Sequence, residues 1–334
     1  MNPIAIYSGD LRLYWSALVI MLGIAAGFAM AQALYTSYAG KGRDLWVFLP
    51  LALAFSIIFC RLLHWYCHAE QYEGIWGALT DYSSGGYVLP GAILGVLLAA
   101  RIVGAMGFAH SVPRLLDAIA PGAALTVAFI RLSALFNSSC RGKIAVKTPA
   151  LQRLPLASPV YSSGPDDYRF ATFFVQFLLM LLVFVLLFNF YNRRRNQPMK
   201  GDRSRDGHTA RMFLLLYGAV ELIMDSTRYD SSFLHFNGFV SLVQIVSALL
   251  VVYVLVYYSV FSVRENGFKF RHVLLWLVSV AALGAGGMCE YLVQRHGDWY
   301  LGCYGGMALC ILLLCLVSWK MYKDCCLKAR PGRD

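Results

Sequence analysis

The sequence predicts an all-α membrane protein that crosses the bilayer about nine times, with its N-terminus outside and its C-terminus in the cytoplasm. Three observations lead to this prediction. Of the 334 residues, 59% are hydrophobic and only 14% are charged, whereas soluble domains carry about 25% charged residues. Apolar runs near the length that a bilayer-spanning helix needs, about 20 residues, recur along the chain. Basic residues are distributed unevenly among the connections between these runs.

The predicted helices follow one another with short connections except in two places, residues 64–86 and 137–169, where large outer loops are expected. No small-residue cleavage site closes the first run, and Arg12 precedes it, so this run is expected to remain as a membrane anchor. The nine runs are residues 13–36, 45–63, 87–109, 115–136, 170–191, 212–225, 234–261, 272–293 and 299–321.

The predicted orientation follows from the distribution of the basic residues along the chain, whose net charge is +11. With the N-terminus outside, 19 of the 29 Lys and Arg residues lie in cytoplasmic connections or in the C-terminal tail, as the positive-inside rule requires of an odd number of spans. The most basic connection, residues 192–211, lies close to the membrane. It is therefore expected to contact anionic lipid headgroups, and no nucleic-acid partner is predicted.

Charged residues within predicted spans are costly, and they mark a functional pocket or a paired network. Glu221 and Asp225 are four residues apart and share one helix face. We predict a polar pocket near the outer surface; the alternative is a structural ion-pair network, chiefly Arg131 with Glu221 or Asp225. The charges that converge at this depth are Arg61, Arg131, Glu221, Asp225, Arg228 and Glu290.

The nine cysteines show no spacing typical of a metal site, and no metal or cofactor is predicted. Cys289 and Cys303 are expected near the outer ends of neighbouring helices, where a disulfide between them is one interpretation. Packing as small apolar residues is the other.

Three stretches together resemble the prolipoprotein diacylglyceryl transferase family. The first contains Asp117 and Pro121, then Arg131-Leu132, Asn137 and Gly142. The second is Gly85-Gly86 followed by Pro90-Gly91 and Gly95. The third is Tyr217-Gly218 with Asp225 and Arg228, and then Gln244 and Ser247. The resemblance covers residues 1–262, and residues 263–334 are expected to form an additional two-helix hairpin with a basic cytoplasmic tail.

The resemblance implies a transferase in the bacterial cytoplasmic membrane. Its family moves a diacylglyceryl group from phosphatidylglycerol to the lipobox cysteine of a secreted precursor lipoprotein, at the outer side. Carried over to this sequence, the catalytic residues are Arg131, Asn137 and Asp225. The residues implied in lipid binding are Arg61, Gly85, Gly86, Gly91, Gly142, Glu221, Arg228 and Gln244.

That chemistry needs a cysteine thiolate as the nucleophile and hydrogen-bond donors for the departing glycerol phosphate. Arginine suits the second role because its planar fork matches phosphate oxygens. A base for the thiol proton would have to come from the outer histidines, for which the candidates are His64, His68 and His235.

Several positions depart from the family pattern, and they keep other hypotheses open. Pro90, Ala134, Ser139, Ser16 and Glu221 stand where the family has His, Asn, Glu, Tyr and Arg. A second hypothesis is therefore a relative that binds lipid or lipoprotein without transferring a group. A third, a channel or transporter, rests on helix-breaking glycines and proline alone, without an internal repeat.

Overall fold

The computed structural model describes residues 4–8, 11–37, 40–81, 86–109, 111–137, 139–159, 168–195, 206–234, 237–297 and 299–326. Within these ranges the chain is predominantly helical. The helices are α1 (Trp15–Thr36), α2 (Gly42–Cys67), α3 (Ile75–Thr80), α4 (Pro90–Ala105), α5 (Val112–Ser133), α6 (Pro149–Gln152), α7 (Thr172–Arg195), α8 (His208–Ser226), α9 (Leu242–Asn266), α10 (Phe270–Arg295) and α11 (Tyr300–Cys326).

The predicted all-α membrane class is confirmed. Seven helical segments of the described chain, namely α1, α2, α5 with the turn after it, α7, α9, α10 and α11, are long and apolar enough to cross a membrane. Helix α4 is apolar but has 16 residues, and α8 has 19 residues that include Glu221 and Asp225. All nine predicted runs therefore correspond to long helices, while nine bilayer crossings and the orientation of the termini stay predictions.

Several predicted helix limits differ from the structure by three or more residues, and two helix starts show how local backbone preferences override hydropathy. The run from residue 234 was assigned to a helix, but α9 begins at Leu242. The Ser241 hydroxyl accepts from the Gln244 amide at 3.0 Å, and the Gln244 side-chain oxygen accepts from the Ser241 amide at 3.0 Å. This capping box starts the helix there. Helix α4 begins at Pro90, later than the predicted residue 87, since proline favours the first helical position.

Among the described residues, three short antiparallel strand pairs occupy segments that the predicted topology places on the outer side. The hairpins were not predicted, because each strand has only two to five residues and shows little alternation. They pair β1 (Ile4–Ser8) with β2 (Leu11–Tyr14), β3 (Ala157–Pro159) with β4 (Tyr168–Phe170), and β5 (Phe233–Leu234) with β6 (Asn237–Ser241).

Helix α5 is the central helix of the bundle and contributes to both large apolar clusters. It crosses α1 closely: a Cβ placed on Gly27 would lie 2.5 Å from the Gly122 carbonyl oxygen. Glycines at such a crossing allow the two backbones to approach, which is how membrane helices commonly pack. The helix that carries Arg131 is therefore held against α1 on one side and against α7 and α8 on the other.

At its N-terminal end, which the predicted topology places on the inner side, α5 also holds the start of α8. The Asp117 carboxylate accepts from the backbone amides of Gly207 at 2.6 Å and Ala210 at 2.9 Å. It also pairs with Arg194 at 2.7 Å and is 3% exposed. An aspartate at a helix N-terminus satisfies amides that lack intrahelical partners. Asp117 therefore sets the position of the helix that carries Glu221 and Asp225.

We expect Asp117→Ala to lower the free energy of unfolding by about 3–5 kcal/mol, because it leaves Arg194 buried without its carboxylate. Asp206→Ala is the control, since Asp206 pairs with a 40% exposed Arg114 side chain and should cost about 0–1 kcal/mol. Unfolding of the detergent-solubilised protein would be followed by circular dichroism. Equal losses in the two variants would contradict the anchoring role of Asp117.

Candidate functional site

The site is centred on a buried ion pair between α5 and α8. The Arg131 Nη2 atom lies 2.7 Å from Glu221 Oε1, and the two residues are 6% and 0% exposed. The other carboxylate oxygen, Oε2, accepts from Gln176 Nε2 of α7 at 3.3 Å. The alternative that the sequence left open, an ion pair of Arg131 with Glu221 or Asp225, is confirmed for Glu221. In a low-dielectric environment, either charge would be costly to bury without the other.

Several polar atoms around this pair have no hydrogen-bond partner within the described part of the chain. They are Arg131 Nε, Tyr217 Oη, Gln176 Oε1 and Ser247 Oγ. Tyr217 is 1% exposed, and Gln176 and Ser247 are fully buried. Buried polar atoms are normally paired, so unmet ones call for an explanation such as a ligand or water. The ion pair therefore lies among buried polar groups that can still form hydrogen bonds.

A second group of charges follows α8. Arg228 lies 3.4 Å from Asp225 Oδ1 and 3.0 Å from Asp230 Oδ1. Asp225 is fully buried and also accepts from the Ser241 hydroxyl at the start of α9. Burial would raise the pKa of the Asp230 carboxyl, but Arg228 outweighs it and holds that pKa below its ordinary value. The charge of Arg228 is therefore shared between two carboxylates.

The segment after α5 pairs with the segment after α8, which brings the two charge groups together. Lys143 donates its amide to the Thr227 carbonyl at 2.8 Å, and the Tyr229 amide donates to the Arg141 carbonyl at 2.8 Å. The Cys140 amide donates to Asp230 Oδ2 at 3.0 Å. The Cys140 thiol in turn lies 3.6 Å from Arg131 Nη1. We call these paired segments, residues 140–146 and 226–230, the outer clamp.

Gly142, one of the residues implied in lipid binding, lies within the outer clamp opposite Arg228. A Cβ at this position would lie 2.9 Å from the Phe170 side chain and 3.1 Å from the Thr172 hydroxyl. The glycine is thus required by close packing of the clamp on β4 and the start of α7.

The contacts of Arg61 differ from those expected at the shared headgroup site that the sequence suggests. It is 1% exposed, and its guanidinium donates to the carbonyls of Ala78 at 2.8 Å, Gly86 at 3.0 Å and Asp81. The rings of Tyr72 and Tyr87 lie against it. These contacts hold the loop between α2 and α4, so lipid binding by Arg61 stays a prediction.

The glycines of the second motif are explained by packing where the structure describes them. Gly86 has φ +76°, and Gly91 lies so close to α2 that a Cβ would be 2.6 Å from the Cys60 amide nitrogen. Gly85 lies outside the described residues. A role for Gly86 and Gly91 in holding lipid stays a prediction beside this packing role.

Asn137 and Gln244 use their side chains locally. The Asn137 side-chain oxygen, Oδ1, accepts from the Ser139 amide at 2.9 Å and from the Ser139 hydroxyl at 2.5 Å, on an exposed turn. Gln244 closes the capping box of α9 and donates to the Leu222 carbonyl at 3.5 Å. The catalytic roles of Arg131, Asn137 and Asp225 stay predictions, as does lipid binding by Gln244.

Other expectations have mixed outcomes. His64 and His68 stack with ring centroids 4.3 Å apart at the end of α2, while His235 lies outside the described residues. All nine cysteines are free thiols, so the interpretation of a Cys289–Cys303 disulfide was wrong. The described residues contain no cluster of three or more metal-binding side chains.

Sequence reasoning missed Gln176 and Cys140 as neighbours of the ion pair. Gln176 is a lone amide in an otherwise apolar run, and that was the available signal, since polar side chains within spans are costly. Cys140 gave no signal, because its contact with Arg131 arises only from the loop conformation.

An apolar cavity of about 260 Å³ lies below the ion pair, between α1, α2, α4, α5 and α8. Its lining extends from Leu45 and Ala210, near the inner ends of their helices, to Ile130 and Tyr217. Ile130 precedes Arg131, and Tyr217 lies one turn before Glu221. Two lining residues are therefore neighbours of the buried pair, although neither Arg131 nor Glu221 itself lines the cavity.

A family model described as prolipoprotein diacylglyceryl transferase matches residues 3–260. A phosphatidylglycerol–prolipoprotein diacylglyceryl transferase of Streptococcus agalactiae serotype Ia is 27% identical over 245 residues, covering 70% of this chain and 87% of that protein. One of Streptococcus pyogenes serotype M5 is 26% identical over 267 residues, covering 77% and 94%.

The matched region contains α1 to α8 and most of α9, and so it includes the ion pair, the outer clamp and the cavity. It ends before α10 and α11. Three observations agree: the sequence motifs, the bundle of membrane helices and the match over most of the chain. The chain therefore belongs to the prolipoprotein diacylglyceryl transferase family.

Proposed function

We propose that the protein transfers the diacylglyceryl group of phosphatidylglycerol to the lipobox cysteine of a precursor lipoprotein, at the outer side of the bacterial cytoplasmic membrane. Membership of the family supports the reaction. The observation that carries the proposal for this chain is the position of Arg131, a buried cation whose neighbours Ile130 and Tyr217 line an apolar cavity.

Arg131 has the donors that a phosphate needs. Its Nη2 atom is bound to Glu221, while Nε has no partner within the described residues and Nη1 has only the weak contact with Cys140. Guanidinium carries five N–H donors in one plane. Because Glu221 holds the group in place, its remaining donors are oriented before the lipid binds, which is the arrangement that stabilises developing negative charge most effectively.

The cavity suits the hydrophobic part of the same lipid. Its lining is almost entirely apolar, with Ser56, Thr126 and Tyr217 as its polar members. Acyl chains and headgroup belong to one molecule, so a chain in the cavity places the phosphate near Arg131. Tyr217, whose hydroxyl has an unmet hydrogen bond, lies at the junction and is proposed to contact the ester region of the lipid.

The reaction forms a C–S bond between the lipobox cysteine and the terminal glyceryl carbon of the lipid. The C–O bond from that carbon to phosphate breaks, and its electron pair leaves on the phosphate oxygen. The thiol proton can leave with the product, since a phosphate monoester has a second pKa of about 6. Arg131 stabilises the charge that accumulates on the leaving glycerol phosphate. His64 and His68 stay candidate bases.

The purified full-length protein, in vesicles that contain phosphatidylglycerol, is expected to release glycerol phosphate when a lipobox peptide is added. The same peptide with serine in place of its cysteine is the control and should give background release, because a hydroxyl is a far weaker nucleophile than a thiolate at neutral pH. Peptide binding without glycerol phosphate release would overturn the transferase proposal in favour of a binding-only relative.

We expect Arg131→Lys to lower kcat/KM for phosphatidylglycerol by roughly 100-fold, because a lysine keeps the charge but loses the planar set of donors. Arg101→Lys is the matched control: Arg101 is exposed near the inner end of α4 and should keep wild-type kinetics. The measurement is the glycerol phosphate release assay at varied lipid content. Near-wild-type kinetics in Arg131→Lys would remove Arg131 from the proposed headgroup site.

A further inference from the structure

Helices α10 and α11 lie beyond the matched family region, yet they place a buried carboxylate against the site. Glu290 of α10 is 5% exposed. Its Oε2 atom accepts from the Ser226 hydroxyl at 2.6 Å, and its Oε1 atom accepts from Gln294 Nε2 at 2.8 Å. Ser226 is the last residue of α8 and follows Asp225 directly. An added helix therefore binds the point where the outer clamp begins.

The same two helices contact the clamp at two further points. The side-chain oxygen of Gln294 accepts from Lys143 Nζ at 2.8 Å. Tyr304 of α11 donates its hydroxyl to the Ser226 carbonyl at 3.3 Å. Lys143 belongs to one clamp segment and Ser226 to the other. Both segments are thus tied to α10 and α11, and two of the residues involved, Ser226 and Gln294, donate to Glu290.

These contacts connect Glu290 with the charged residues of the site. Ser226 is bonded on one side to Glu290 and is covalently joined to Asp225 and Thr227. The Thr227 carbonyl accepts from the Lys143 amide at 2.8 Å. Arg228, next along the clamp, pairs with Asp225. A buried carboxylate that accepts two hydrogen bonds resists displacement, because losing either bond leaves charge without compensation.

We propose that Glu290 is a positioning residue of the site and that α10 and α11 serve to hold the outer clamp. Through Ser226 and the Gln294–Lys143 contact, Glu290 keeps the Asp225–Arg228 pair in place beside Arg131 and Glu221. The inference rests on the proposed function for its effect on turnover, while its effect on the clamp is independent of that function. It assigns a role to the part of the chain that the family model does not cover.

Glu290→Gln keeps the shape of the side chain but loses one acceptor and the charge. We expect kcat in the glycerol phosphate release assay to fall roughly 10- to 100-fold, because small displacements of positioned groups have effects of that size, with KM for phosphatidylglycerol changed less than about twofold. Glu265→Gln, the same substitution at an exposed site on α9, is the matched control and should leave kcat unchanged.

Ser226→Ala and the double variant Ser226→Ala/Glu290→Gln test the route through the hydroxyl. If Glu290 acts through Ser226, the double variant is no slower than the slower single variant, since coupled residues are not additive. Multiplied effects in the double variant would overturn the proposed route.

Hydrogen exchange followed by mass spectrometry separates this inference from the reaction itself. In Glu290→Gln the backbone amides of residues 140–146 and 226–230 should exchange roughly tenfold faster than in wild type, with the other helices unaltered. Unchanged exchange in the clamp, or faster exchange over the whole chain, would overturn the inference. If the wild-type protein releases no glycerol phosphate, the proposed function fails, and the exchange result still decides the role of Glu290.

Discussion

The ion pair between Arg131 and Glu221 is the interaction on which the rest of the structure depends. A charge inside a membrane bundle is costly unless an opposite charge accompanies it, and these two side chains lie on helices that are distant in sequence. Their pairing at 2.7 Å sets the outer ends of α5 and α8. Asp117 does the same at the inner ends, so the two central helices are held together at both sides of the bundle.

The same pair shapes the chemistry that the site can perform. Glu221 offsets the positive charge of Arg131, so the pocket attracts an anionic headgroup less strongly than it would with an unpaired arginine. The pairing leaves Nε of Arg131 and the hydroxyl of Tyr217 without hydrogen-bond partners among the described residues, next to an apolar cavity. Under the proposed function, lipid is recognised by directed donors and an apolar cavity more than by net charge. Arg228, shared between Asp225 and Asp230, reinforces the clamp more than it adds free positive charge.

Sequence reasoning located the apolar runs because hydropathy is a local property that a span must satisfy along its whole length. It also indicated Arg131 with Glu221 or Asp225, since opposite charges within spans have few ways to be stabilised. It failed where backbone hydrogen bonding decided the outcome. The start of α9 depends on the Ser241–Gln244 capping box, and the setting of Arg61 depends on three loop carbonyls. Neither hydropathy nor charge contains that information.

By itself the sequence determined that this is a basic, polytopic helical membrane protein with a few charges within its helices, and its motifs were sufficient to recognise the family. Only the tertiary structure decided which charges meet. It joined Arg131 to Glu221 and Gln176, assigned Arg61 to a loop, and brought Glu290 from outside the family region to Ser226. The physical reason is that composition and periodicity act over neighbouring residues, whereas partners of buried charges are chosen by how helices pack across the bundle.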